Sequence, residues 1–285
     1  MGGLHVLASP FDVFIPIKNL WWAIFGVPMH AVLAWLVHVL AGNPLAEAIG
    51  PFGIAIILLT IMIKIILSPI FHYQLTTSRR VQAEQRRIAP ELAALRKKYK
   101  KDPQGLNQAT MALYREHGIN PLAQMSGCLP ALIQAPILIA LYWVIYGVAK
   151  GGLGIHDLHF LWIPHLDQRA GDFAHNGPLV IALPLLAGLT TFVQTKMMTP
   201  PGGTAGVDPT QQAMTQNMTL IMPVFIGFIS LNFPAALALY WVVSNLFSIG
   251  QQYFITGWGS LNGPPWRMMG KGERNDERRN QRKVS

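Results

Sequence analysis

Between Phe52 and Tyr73 the chain carries an apolar run, FGIAIILLTIMIKIILSPIFHY, that is long enough to cross a bilayer and holds one cation, Lys64, deep inside it. At 1.5 Å per helical residue, Lys64 lies roughly 13 Å from the first clearly aqueous residues near Tyr73. A lysine stem reaches only about 6 Å toward water by snorkelling. The ammonium therefore needs a carboxylate, a polar cluster or a water-filled cavity within the membrane. Any fold for this chain has to provide one of the three.

The remaining composition agrees with a membrane setting. Of the 285 residues, 51% are hydrophobic and 12% charged, and the mean hydropathy is +0.33. This is a polytopic, all-α integral membrane protein with no room for a separate catalytic domain. Lys and Arg orient spans by staying in the cytoplasm. Residues 75 to 125 hold ten of the 22 basic residues and residues 257 to 285 seven more, whereas the loop from Lys150 to Gly177 has two. Both basic segments are thus expected inside and the Asp/His-rich loop outside. Cys128 is the only cysteine and falls in an apolar span, so it offers neither a disulfide nor a cysteine metal site.

Taken in order, residues 1–50 form an external N-terminus that includes Leu20 to Gly42. That stretch reads as an interfacial helix or as an extra span: Met29, Val32, Leu33, Leu36, Val39 and Leu40 make one stripe, while His30, Ala34, His38 and Ala41 recur on another side. The first core span covers 51–74. Residues 75–125 read as a basic helical hairpin. Its first helix carries Val81, Ile88, Leu92, Leu95 and Tyr99 among Arg79, Arg80, Arg86, Arg87, Arg96, Lys97 and Lys98, with Pro90 as a kink or restart. Asp102 is placed to cap the second helix, with Pro103 at its first position. These charges are either a solvated face or a surface for anionic lipid or RNA. Further spans are expected at 126–149, 178–198, 217–232 and 233–256. They are joined by an external loop at 150–177 and a cytoplasmic loop at 199–216, and 257–285 forms a basic tail. Five spans with this charge pattern put the N-terminus outside and the C-terminus in the cytoplasm. The histidines and aspartates of the external loop match no compact metal pattern.

No span contains Asp or Glu, which removes the obvious ion-pair partner for Lys64 and argues against a carboxylate proton relay. Neutral polar residues are present instead. Thr60 shares the face of Lys64, Gln134 and Gln194 lie in other spans, and Trp241, Ser244, Asn245, Ser248 and Gln252 follow helical spacing. They either line a hydrated cavity around one fixed charge or merely hydrogen-bond neighbouring helices, at about 1 kcal/mol each. No phosphate-binding loop, metal set or nucleophile-base constellation is present, so no cofactor and no enzymatic reaction are expected. A solute or anion transporter using Lys64 as its binding charge is the competing reading, and it lacks an inverted repeat.

The segments GIAIILLTIMIKIILSPI, IAPELAALRKKYKKD, ALYREHGINPLAQMSGCLPALIQAPILIALY, LHFLWIPHL and FPAALALYWVVSNLFSIGQQ, in this order over about residues 11 to 258, resemble the YidC membrane-protein insertase family, which includes the mitochondrial and chloroplast insertases. The resemblance implies five core transmembrane helices around a hydrophilic groove open to the cytoplasm and to lipid, preceded by an interfacial helix matching Leu20 to Gly42. The groove cation of that family is usually Arg, and the matching position here is Lys64. Thr60, Gln134 and Trp241 match other groove-lining positions. The implied partners are nascent membrane proteins, the ribosome, the Sec translocon and membrane lipids. The basic tail, with Arg278, Arg279, Arg282 and Lys283, is expected to add salt-sensitive affinity for ribosomes.

Overall fold

The computed structural model describes residues 19–118, 129–151, 157–199 and 209–262. Cys128, His156 and the tail cations Arg278, Arg279, Arg282 and Lys283 lie outside them. The described chain is helical. The first helix, α1 (Asn19–Leu40), has a π-helical stretch at Trp22–Gly26. It is followed by α2 (Pro44–Ile49), α3 (Pro51–Arg87), α4 (Ala89–Lys98) and α5 (Pro103–Glu116). Then come α6 (Leu129–Ala149), α7 (Phe173–Asn176), α8 (Ala182–Met198), α9 (Pro209–Ser230) and α10 (Ala235–Thr256).

Among the described residues, three stretches are long and apolar enough to cross a membrane: α1, α3 and Pro178–Met198, which joins a 3-10 turn to α8. In α6 and α9 the apolar portions are shorter, Ile133–Ala149 and Asn217–Ser230. Helix α10 has 22 residues but dilutes its apolar surface with Ser244, Asn245, Ser248, Gln251 and Gln252. Of the two roles open to Pro90 within residues 81–99, a kink or a restart, the structure has the restart. Helix α3 runs unbroken through Pro69 to Arg87, and the break falls at Ile88 (φ −89°, ψ 0°). Proline has no N–H and clashes with the preceding turn, so Pro90 fits only in the first turn of a new helix, α4.

The described residues fall into two compact units. The first draws on residues up to 62, 131–183 and 230–240. Its core includes Leu33, Phe52, Ile56, Leu141, Ile145, Leu166, Leu237 and Tyr240, all buried. Asn43 caps α2 by accepting from the N–H groups of Leu45 and Ala46. Gly50 follows at φ +116°, where a β-carbon would stand 2.2 Å from the carbonyl oxygen of His159, so only glycine lets the loop approach the start of α3. The loop then closes on the α9–α10 turn. The N–H groups of Ala170 and Gly171 donate to the carbonyls of Phe233 and Leu231. Those of Ala235 and Ala236, which have no partner inside α10, donate to Gln168 and Leu166. Within the loop, Phe160 and Ile163 bridge a tight turn that holds Leu161 at φ +52°. A left-handed leucine costs about 1 kcal/mol.

Two aspartates of this loop sit against histidines: Asp157 Oδ1 is 2.5 Å from His159 Nδ1, and Asp172 Oδ2 is 2.8 Å from His175 Nδ1. In each case the hydrogen bond from the histidine holds the carboxyl below the usual aspartate value of 3.8. A depressed carboxyl stabilises the fold when ionised, so its contribution is complete above the ordinary aspartate range and is lost as the pH falls through the lowered value. Amide protection across residues 157–176, taken as exchange relative to the intrinsic rate at each pH, is therefore expected to fall below about pH 4. The Asp157→Asn, Asp172→Asn double variant should show little of that loss. An equal acid response in both proteins would rule these pairs out as its source.

The second unit draws on residues 63–130, 184–229 and 241 onward. Helices α4 and α5 share a small apolar core of Ile88, Leu92, Leu113 and Tyr114, with Leu95 against it. Asp102 caps α5 by accepting from the Gly105 N–H at 2.9 Å. The C-terminal end of α8 is closed from outside the helix. Arg79 Nη2 donates to the Met197 carbonyl at 2.8 Å, Ser260 Oγ to that of Lys196 at 2.7 Å, and the Ser260 N–H to that of Thr199 at 2.9 Å. These bonds satisfy carbonyls that a helix end leaves open. Helices α8 and α9 cross at Gly188 and Gly227. A β-carbon on Gly188 would be 3.0 Å from the Pro223 carbonyl oxygen and 3.6 Å from Gly227 Cα.

Candidate functional site: a buried lysine held without a carboxylate

Lys64 lies in the second unit and is 5% exposed. Its ammonium donates to Ser248 Oγ at 3.0 Å, and Ser248 Oγ in turn donates to the Ser244 carbonyl at 2.9 Å. Two turns further along α3, the Phe71 ring centroid is 4.9 Å from Nζ, close enough for cation–π attraction. Among the described residues, the ammonium is met by a hydroxyl and an aromatic face and forms no ion pair. Helices α3 and α10 are tied again one turn along, where Gln251 Nε2 donates to both the carbonyl and the hydroxyl of Ser68 at 2.9 Å.

An ammonium has three hydrogens to donate, and Ser248 accepts one of them. Cation–π attraction contributes about 0.5 to 2 kcal/mol, far less than a buried charge loses on leaving water. The site thus keeps a positive charge whose hydrogen-bonding capacity is only partly used. It can attract an anionic group without first breaking a salt bridge. No group of metal-ligating residues occurs among the described residues.

The other sequence-selected residues divide by location. Asn245 is buried and donates to Thr190 Oγ1 at 3.0 Å and Thr191 Oγ1 at 2.8 Å, which ties α10 to α8. Ser244 is also buried. Trp241 packs on Ala187, Ile226 and Val242, and Gln194 is half-buried. Thr60 and Gln134 belong to the first unit. There, Thr60 donates back to the Ile56 carbonyl at 2.6 Å, and Gln134 Nε2 donates to the Tyr240 hydroxyl. Of the basic residues on α3 and α4, Arg80, Arg87, Lys97 and Lys98 are exposed, whereas Arg79, Arg86 and Arg96 are half-buried. Sequence reasoning passed over Phe71. It stands seven residues after Lys64, the helical interval that returns to nearly the same face, and that spacing was the available signal.

The family model described as "60Kd inner membrane protein" matches residues 44–260, which include Lys64, Phe71 and Ser248. Membrane protein insertase YidC 1 of Halalkalibacterium halodurans is 39% identical over 262 residues, spanning 89% of this chain and 87% of that protein. The chain belongs to the YidC family. Membrane protein insertase MisCA of Bacillus subtilis is 43% identical over 210 residues, covering 72% of this chain and 70% of its own. Membrane protein insertase YidC of Fusobacterium nucleatum is 39% identical over 213 residues, covering 75% and 90%. With its long apolar helices, this YidC-family chain is a multi-pass membrane protein.

Proposed function

We propose that this chain is a membrane-protein insertase and chaperone of a bacterial cytoplasmic membrane. The observation that carries the reading is the Lys64 ammonium, buried in a helix long and apolar enough to cross a membrane and met, among the described residues, by Ser248 and Phe71 rather than by a carboxylate. In this reading the hydrophilic outer part of a nascent membrane protein enters a polar groove open to the cytoplasm. There the Lys64 charge, with the polar face of α10 at Ser244 and Ser248, lowers the cost of moving that part among the spans. Burial of about 20 apolar residues of the client in lipid then drives release.

The same reading assigns five core spans to α3, α6, Pro178–Met198, α9 and α10, with the N-terminus outside and the C-terminus in the cytoplasm. Helices α4 and α5 form a cytoplasmic hairpin that receives the client. The exposed Arg80, Arg87, Lys97 and Lys98, together with the basic tail, provide the surface for the ribosome, and the Sec translocon is a further partner. The names of the three relatives, each a membrane protein insertase, support the function.

Expression of the chain in a bacterium depleted of its own insertase tests this directly. Growth and insertion of a single-span reporter are expected to recover. Failure of both, with the chain present in the membrane at normal level, would sink the reading.

A further inference from the structure

The client pathway proposed above makes no use of the segment LHFLWIPHL, yet its geometry is unusual. Phe160 and Ile163 face inward and are buried, at 8% and 1% exposure. The Phe160 N–H donates to the Ile163 carbonyl at 2.8 Å, and the Ile163 N–H returns the bond at 2.9 Å. The Leu161 N–H is fixed to the Ile49 carbonyl at 2.7 Å. The turn so locked pushes its two tip residues, Leu161 and Trp162, outward to 52% and 46% exposure, with Leu161 at φ +52°. Among the described residues, Leu161 is the only non-glycine with positive φ. A strained leucine that leaves half of its apolar surface outside its own protein points to surroundings other than water.

Trp162 indicates which surroundings. Its only polar hydrogen, on Nε1, is donated to the Leu179 carbonyl at 3.2 Å. The outward part of the ring is therefore wholly apolar. The bond also fixes its level, because Leu179 stands in the first turn of Pro178–Met198, a helix able to cross a membrane. Leu179 and Ile181, in that first turn, are themselves exposed. Around the tip the chain turns polar, with His159, His165, Asp167 and Arg169 within eight residues. An apolar tip with a polar base, level with the entry of a span, matches the water–lipid boundary, where tryptophan rings concentrate.

We propose that the 160–163 turn is a membrane-dipping element: Leu161 and Trp162 insert into the bilayer interface beside the first turn of Pro178–Met198. The occupant of this apolar tip is lipid, and the turn anchors the external loop to the surface at a set depth. This assignment does not depend on the insertase reading, because it concerns only where the loop meets the bilayer.

The test uses the full chain in proteoliposomes. Leu161→Cys in a Cys128→Ala background is labelled with an environment-sensitive fluorophore, and Trp162→Cys serves as a second probe site should the first variant fail to fold. Gln168→Cys, at an exposed position of the same loop, is the aqueous comparison. Lipids brominated near the headgroup end of the acyl chain are expected to quench the tip probe at least about threefold more than the Gln168 probe, with iodide quenching in the reverse order. A tip probe quenched by iodide and insensitive to brominated lipid would overturn the proposal. So would a tip shielded from both quenchers, which would mean that protein covers it.

Discussion

Lys64→Ala is expected to reduce insertion of a single-span client with an acidic translocated tail by roughly thirtyfold, whereas Lys64→Arg should stay within about twofold of the parent. At an effective dielectric of 20, a unit charge attracts a carboxylate 8 Å away by about 2 kcal/mol, and every 1.4 kcal/mol is about tenfold. The loss should be smaller for a client whose tail carries no acid. Stability separates this role from a structural one. Lys64 is buried and forms no ion pair among the described residues, so truncation removes a desolvated charge without stranding a partner charge, and the alanine variant should melt no lower than the parent in detergent. Insertion by Lys64→Ala at the parental level, with equal protein in the membrane, would remove Lys64 from the mechanism. A fall in melting temperature that accounts for the lost activity would make it a structural residue.

The second large effect is expected at the α8–α9 crossing. Gly188→Leu places a branched side chain where even a β-carbon would stand 3.0 Å from the Pro223 carbonyl and 3.6 Å from Gly227 Cα. Both neighbours are backbone, so they cannot rotate away as a side chain would. Overpacking of this kind costs about 3 kcal/mol, which lowers the melting temperature by about 5 °C for a chain of this size. Close backbone approach at small residues is a main way helices associate in lipid, where no hydrophobic effect drives them together. Gly227→Ala, whose β-carbon would meet the Pro184 carbonyl at 3.3 Å, should cost much less. Unchanged melting of Gly188→Leu would mean that the two helices do not cross this closely.

Several features of the site were legible before any coordinates. The apolar run around Lys64 demanded a helix, and the lack of Asp or Glu in the spans left the ammonium to neutral partners, as Ser248 and Phe71 show. The Asp102-Pro103 pair marked the start of α5 because a carboxylate that accepts an N–H and a proline that needs no donor act locally. What periodicity could not do was divide the polar face of α10. Ser244, Asn245 and Ser248 lie within an arc of about 100°. Asn245 is nevertheless committed to Thr190 and Thr191 of α8, while Ser248 meets Lys64 of α3. One stripe serves two neighbours, and sequence spacing has no term for which neighbour stands at which angle. The loop before Pro178 was less legible still. Its closure on the α9–α10 turn joins residues sixty or more positions apart through backbone groups that every residue possesses.

The sequence by itself determined a membrane-embedded, helical chain with a lone cation among apolar residues, because length, hydropathy and local capping chemistry act within a few turns. Only the tertiary structure decided what that cation touches, how closely α8 and α9 approach, and that Leu161 and Trp162 face outward. Those outcomes depend on how each helix is rotated about its axis and on which backbone groups meet across long stretches of chain. Neither quantity is carried by residue spacing.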